Sequence, residues 1–96
     1  MKKSFEFSFD DESAKATGRR SDQITIEHSG RVETLKVRAA DGSVSIYANK
    51  EALLTLGKVL LKMGLGDYRN GFHLHLGEDF GFDPLNTDPL TIVIVE

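Results

Sequence analysis

Read for its hydrophobic and polar positions, the chain alternates almost from end to end and breaks that rhythm once. Residues 4–9 place Phe5, Phe7 and Phe9 on one side and Ser4, Glu6 and Ser8 on the other, which predicts a half-buried strand. Residues 10–21 have no apolar period and mix both charge signs, as a mobile loop does. A second strand is expected over 22–28 with Ile24 and Ile26 inward, then a turn at Ser29-Gly30. A third is expected over 31–39 with Leu35, Val37 and Ala39 in phase. Val32 is out of phase with them, which signals a bulge or a late strand start. Asp41-Gly42 is a strong hairpin signal. It leads into residues 43–48, with Val44, Ile46 and Ala48 inward and Tyr47 outward.

The break comes at residues 49–66, NKEALLTLGKVLLKMGLG, the one stretch with helical period. Asn49 is a good N-cap. Glu51 suits the positive end of the helix dipole, and Lys58 and Lys62 suit the negative end. Leu53, Leu56, Gly57, Leu60 and Met63, widened by Leu54 and Leu61, predict the face that lies on a sheet. Glu51, Thr55, Lys58 and Lys62 predict the solvent stripe. Gly57 is expected to let the helix approach the strands closely, and Gly64 or Gly66 to end it.

Alternation then resumes. Residues 72–76 put Phe72, Leu74 and Leu76 on one face and His73 and His75 on the other. Residues 77–89, GEDFGFDPLNTDP, form an acidic loop with two phenylalanines. Residues 90–95 close the chain as a strand apolar on both faces, which predicts a central position. The expected order is ββββαββ. It implies a single α+β domain over residues 1–96, a two-layer sandwich in which one helix covers a mostly antiparallel sheet of about six strands. The uncovered face of that sheet would carry His73, His75, Val93, Val95 and Tyr47, with Lys36 and Arg38 beside them, and such a face suits an interaction surface.

Composition narrows the functional classes. The formal net charge is -3, which argues against nucleic acid as a partner. The charge is uneven: from Asp67 onward six acids stand against Arg69 alone, so this acidic lobe suits a basic protein partner. The absence of cysteine removes disulfides and thiolate chemistry and fits a reducing compartment. The first residues do not read as a signal peptide and no apolar run has the length of a membrane span, so a cytoplasmic protein that does not engage membranes is expected.

His73-Leu74-His75 is the one arrangement that invites catalytic chemistry, because residues two apart on a strand share a face and can share a metal ion. A catalytic zinc site needs a third protein ligand, for which Glu78, Asp79 or His28 are the candidates, none at a diagnostic spacing. Two surface histidines are the simpler reading, and no cofactor is expected. Asp79, Asp83, Asn86 and Asp88 do not have the spacing of a calcium loop. No phosphate-binding glycine motif is present.

Three features carry a family resemblance: the helix start at Asn49, Glu51, Leu53 and Leu56; the strand with Gly71, His73 and His75; and the closing strand from Ile92 to Glu96. In these the chain resembles small α+β immunity proteins of bacterial polymorphic toxin systems. The resemblance implies a non-enzymatic protein that binds and neutralises a cognate toxin. On that reading His73, His75, Glu78, Asp79, Phe80, Phe82, Asp83 and Tyr47 lie at the partner surface. The alternatives are a small metal-dependent enzyme centred on His73 and His75, and a homodimer that pairs through the open sheet face.

Overall fold

The computed structural model describes residues 1–4, 20, 21, 23–76 and 88–95. The expected first strand, 4–9, and most of the two loops lie outside them. Within them the chain is α+β: one helix and two antiparallel hairpin-like pairs.

β1 (Leu35–Ala40) and β2 (Ser43–Ala48) pair from Leu35↔Ala48 to Ala40↔Ser43. Asp41 and Gly42 close the hairpin with φ of 52° and 78°. Two successive left-handed residues make the turn whose twist matches the strands, and this is why Asp-Gly stands there. β1 starts at Leu35 rather than at Arg31, so Val32 reflects a late start and not a bulge.

The reason for the late start lies at the head of α1 (Lys50–Leu65). The Asn49 Oδ1 accepts from the Ala52 N–H at 2.9 Å, as a cap should, and also from the Thr34 N–H at 3.1 Å. Its Nδ2 donates to the Val32 carbonyl at 2.9 Å, and its own N–H to the Thr34 carbonyl at 3.0 Å. One side chain thus caps the helix and claims the backbone groups of 32–34. At the other end the Gly66 N–H donates to the Lys62 carbonyl at 2.8 Å.

β3 (His73–His75) and β4 (Thr91–Val93) pair in the register His73↔Val93, Leu74↔Ile92, His75↔Thr91. Further bonds from Leu76 N–H to the Leu90 carbonyl and from Ile94 N–H to the Phe72 carbonyl extend the contact. The core gathers Leu35, Val37, Ala52, Leu56, Val59, Met63, Leu74 and Leu76, with Ile24, Ile26, Phe72, Ile92 and Ile94 packed at its edge.

Besides Val44 and Ile46, expected inward but exposed on β2, three expectations change. First, the described residues form four strands in two sheets, where the pattern predicts about six in one. Residues 23–28 keep the predicted alternation, with Ile24 and Ile26 half-buried, but join no ladder. Their neighbour Ser21 forms an isolated parallel bridge with Tyr68, so this contact is not antiparallel. Second, β4 has one ladder partner and leaves Val93 exposed, so it is not central among the described strands. Third, α1 sits rotated by about a quarter turn from its predicted facing, at 3.6 residues per turn. Thr55 and Lys62 of the supposed solvent stripe are buried, while Leu53, Leu54, Leu60 and Leu61 are exposed. Leu56 and Met63 of the predicted face remain buried, and the quarter-turn rotation has a polar cause. The Thr55 hydroxyl donates to the Glu33 carboxylate, and the Lys62 Nζ donates to the Thr25 carbonyl at 2.9 Å and lies 3.7 Å from Glu27. Gly57 is not a close-approach site either, since a Cβ there would meet nothing within 4 Å.

No helix among the described residues is long and apolar enough to cross a membrane.

Candidate functional site

Strand geometry sets the site. Leu74 and Leu76 point into the core, so His73 and His75 stand on the outer face of β3. Their rings meet edge to face with centroids 4.9 Å apart. The His73 Nδ1 lies 3.2 Å from the Gly71 carbonyl and donates to it, since a carbonyl oxygen can only accept. The His75 Nδ1 lies 3.2 Å from the Thr91 hydroxyl across the strand pair. Val93, directly opposite His73, and Val95 complete an outer face that is part aromatic and polar, part aliphatic.

Beside this strand runs an open groove of about 560 Å³, lined by Gln23, Ile24, Ile26, His28, Phe72, His73 and Leu74. It lies beside residues 23–28, which join no ladder among the described residues. Around the Ser21–Tyr68 bridge, the Ser21 N–H bonds the Asp67 carbonyl and the Arg69 N–H bonds the Ser21 carbonyl. The two segments join no ladder beyond it.

His28 lines the same groove but is held from behind. Its Nδ1 donates to the Glu33 carboxylate at 2.6 Å. Glu33 also accepts from the Ser29 N–H at 2.8 Å and from the Thr55 hydroxyl, and its side chain is only 3% exposed. Burial alone would raise its pKa. The hydrogen bonds from Ser29, Thr55 and His28 outweigh that and lower it from 4.5 to about 2. Glu33 is therefore an ionised carboxylate that ties the 28–33 turn to α1. Sequence pattern alone did not single it out. The one available signal was Val32, whose wrong phase put Glu33 in line with Leu35 and Val37.

The metal reading needs a third protein ligand beside His73 and His75. His73 and His75 share a face, His28 bonds Glu33 through its Nδ1, and Glu78 and Asp79 lie outside the described residues. Among the described residues no group of three or more histidines and acids is placed to hold a metal ion.

Of the expected partner residues, His73 and His75 come together on β3–β4. Tyr47 is exposed on β2, opposite Lys36, and belongs to the other sheet. Glu78, Asp79, Phe80, Phe82 and Asp83 lie outside the described residues.

The class so defined is a small α+β protein with one central helix, an exposed histidine strand and a groove beside it. The chain belongs to the Immunity protein 32 family, whose model matches residues 43–96, more than half its length. The matched region runs from β2 through α1 to β4, and so contains the histidine strand. No curated protein and no solved structure matches the chain.

Proposed function

We propose that the chain is a non-enzymatic immunity protein that binds a cognate bacterial toxin in the cytoplasm of the producing cell and neutralises it. Membership of an immunity-protein family over the part of the chain that builds the histidine strand is the observation that carries this reading. The contact surface is the outer face of β3–β4, with His73 and His75 at its centre, continued by Glu78, Asp79, Phe80, Phe82 and Asp83, which follow β3 directly in the chain. Tyr47, on the other sheet, marks its far margin. The acids give the surface the charge to attract a basic toxin domain, and the histidines, valines and phenylalanines give it apolar area to bury. We read residues 1–96 as one two-layer domain. Asp88 supports joining the two sheets in one layer, because its N–H and carboxylate bond Val37 and Ala39 at the outer edge of β1 just before β4 begins.

The test is association kinetics with the purified toxin. Reversing both Glu78 and Asp79 to lysine should lower the on-rate by about tenfold and flatten its salt dependence. Replacing His73 and His75 with alanine should speed dissociation. Unchanged kinetics in both variants would remove this surface from the complex. A wild-type protein that fails to protect cells expressing the toxin would remove the function.

A further inference from the structure

Rotation of α1 leaves an apolar surface with no assigned use. Leu53, Leu54, Leu60, Leu61 and Leu65 point outward and are 41–67% exposed. At 100° per residue they share one side of the helix with Gly57 and Gly64, and the only charge among them is Lys50 at its first turn. The pattern on this side repeats every seven residues: Leu53 with Leu60, Leu54 with Leu61, Gly57 with Gly64. Two turns of a helix bring residues seven apart nearly into line, so these pairs form rows along the helix, as the buried pairs Ala52/Val59 and Leu56/Met63 do on the core side. The glycines lie between two leucine rows, and a Cβ at either would meet nothing within 4 Å. They leave open space between the rows.

We propose that this face seats the same face of a second copy of the chain, helix against helix about a two-fold axis. An isologous contact requires a surface complementary to itself, and this one qualifies. Its only charge is Lys50 at the first turn, and its leucine rows and glycine positions share one period. The five leucines expose on the order of 500 Å² per copy, so complete burial in two copies would remove about 1,000 Å², the minimum for a biological interface. The helix thus replaces the open sheet face as the dimer surface. The toxin-binding reading is independent of it: Leu74 directs one side of β3 toward the core and α1, and His73 and His75 point the other way.

Light scattering on the full chain across a wide concentration range tests the proposal. The wild type should reach twice the 10.6 kDa chain mass. Leu54→Glu with Leu61→Glu should fall to the single-chain mass with helical circular dichroism unchanged. Gly57→Met should do the same; the open space around Gly57 lets a monomer accept the side chain, so loss of the fold does not confuse the result. Tyr47→Glu should keep the doubled mass. The proposal is overturned if the wild type stays at single-chain mass throughout, if both helix variants remain doubled, or if Tyr47→Glu alone splits the dimer. A single-chain wild type whose toxin binding is lost in the leucine variants would also overturn it and assign the face to the toxin.

Discussion

Glu33 offers the sharpest check on the structure, because it places a charge where the alternation expects an apolar side chain. The perturbation is Glu33→Gln, read as a function of pH. The folded carboxyl has its pKa lowered from 4.5 to about 2 by the bonds from Ser29, Thr55 and His28. A folded pKa below the unfolded one means the unfolded chain binds the proton more readily. The stabilisation is therefore complete above about pH 4.5 and drains away as pH falls through about 2. A gap of that size corresponds to about 3 kcal/mol at 1.36 kcal/mol per pKa unit. Since the side chain is 3% exposed, solvent does little to dilute it. Urea unfolding of both proteins between pH 6 and 2 isolates the contribution, because the other carboxyl groups titrate alike in each. The wild type should be the more stable at pH 6, by about 2–4 kcal/mol given the bonds lost in the amide. The difference should shrink mainly below pH 4.5. Parallel stability curves across that window would show that Glu33 is solvated and that the knot joining the 28–33 turn to α1 does not form.

Other substitutions test the remaining joints. Asn49→Ala removes a cap and two further hydrogen bonds to residues 32–34, and should cost about 2–3 kcal/mol in a urea titration; a loss under 0.5 would deny the dual role. Lys62→Glu should destabilise by about 3 kcal/mol or more, because it sets a carboxylate against the Thr25 carbonyl and near Glu27; a neutral effect would restore Lys62 to the solvent stripe. Leu74→Ala should cost about 2–5 kcal/mol, whereas His73→Ala with His75→Ala should stay within about 1 kcal/mol of the wild type, as expected for one buried and two exposed side chains on the same strand.

Local signals were legible in the sequence and long-range polar ones were not. Asn49 as cap, Asp41-Gly42 as turn, the phase of Leu35 and Val37 and the split of Leu74 from His73 and His75 are each decided within a few residues, by backbone stereochemistry or by period two. The facing of α1 is not. Two stripes competed for the core, and counting leucines favoured the wrong one. Thr55 and Lys62 face inward because Glu33 and the Thr25 carbonyl wait there, 22 and 37 residues away in sequence. Such pairs leave no periodic trace in a single chain. Residues 23–28 make the same point. Their alternation correctly put Ile24 and Ile26 inward, but periodicity reports which side chains are buried and is silent on which backbone finds a partner.

The misread helix bears on how the two proposed surfaces divide the molecule. Had α1 buried Leu53, Leu60 and Leu61, the outer face of β3–β4 would have been the leading apolar surface left for any partner, and toxin and second copy would have competed for it. With Thr55 and Lys62 turned inward, the core lies between two surfaces of different chemistry. The leucine side of α1 is periodic and carries a single charge, Lys50 at its first turn, which suits a copy of itself. The histidine side of β3 is mixed and lies next in sequence to an acidic stretch, suited to a basic protein of another kind. A like-with-like contact disfavours charge at its centre because each charge would meet itself, whereas a contact with a different protein gains on-rate and selectivity from charge. The buried polar contacts of Glu33, Thr55 and Lys62 therefore do more than hold α1 down. By fixing its rotation they settle which side of the helix is left bare, and so keep the two partners on opposite sides of the core.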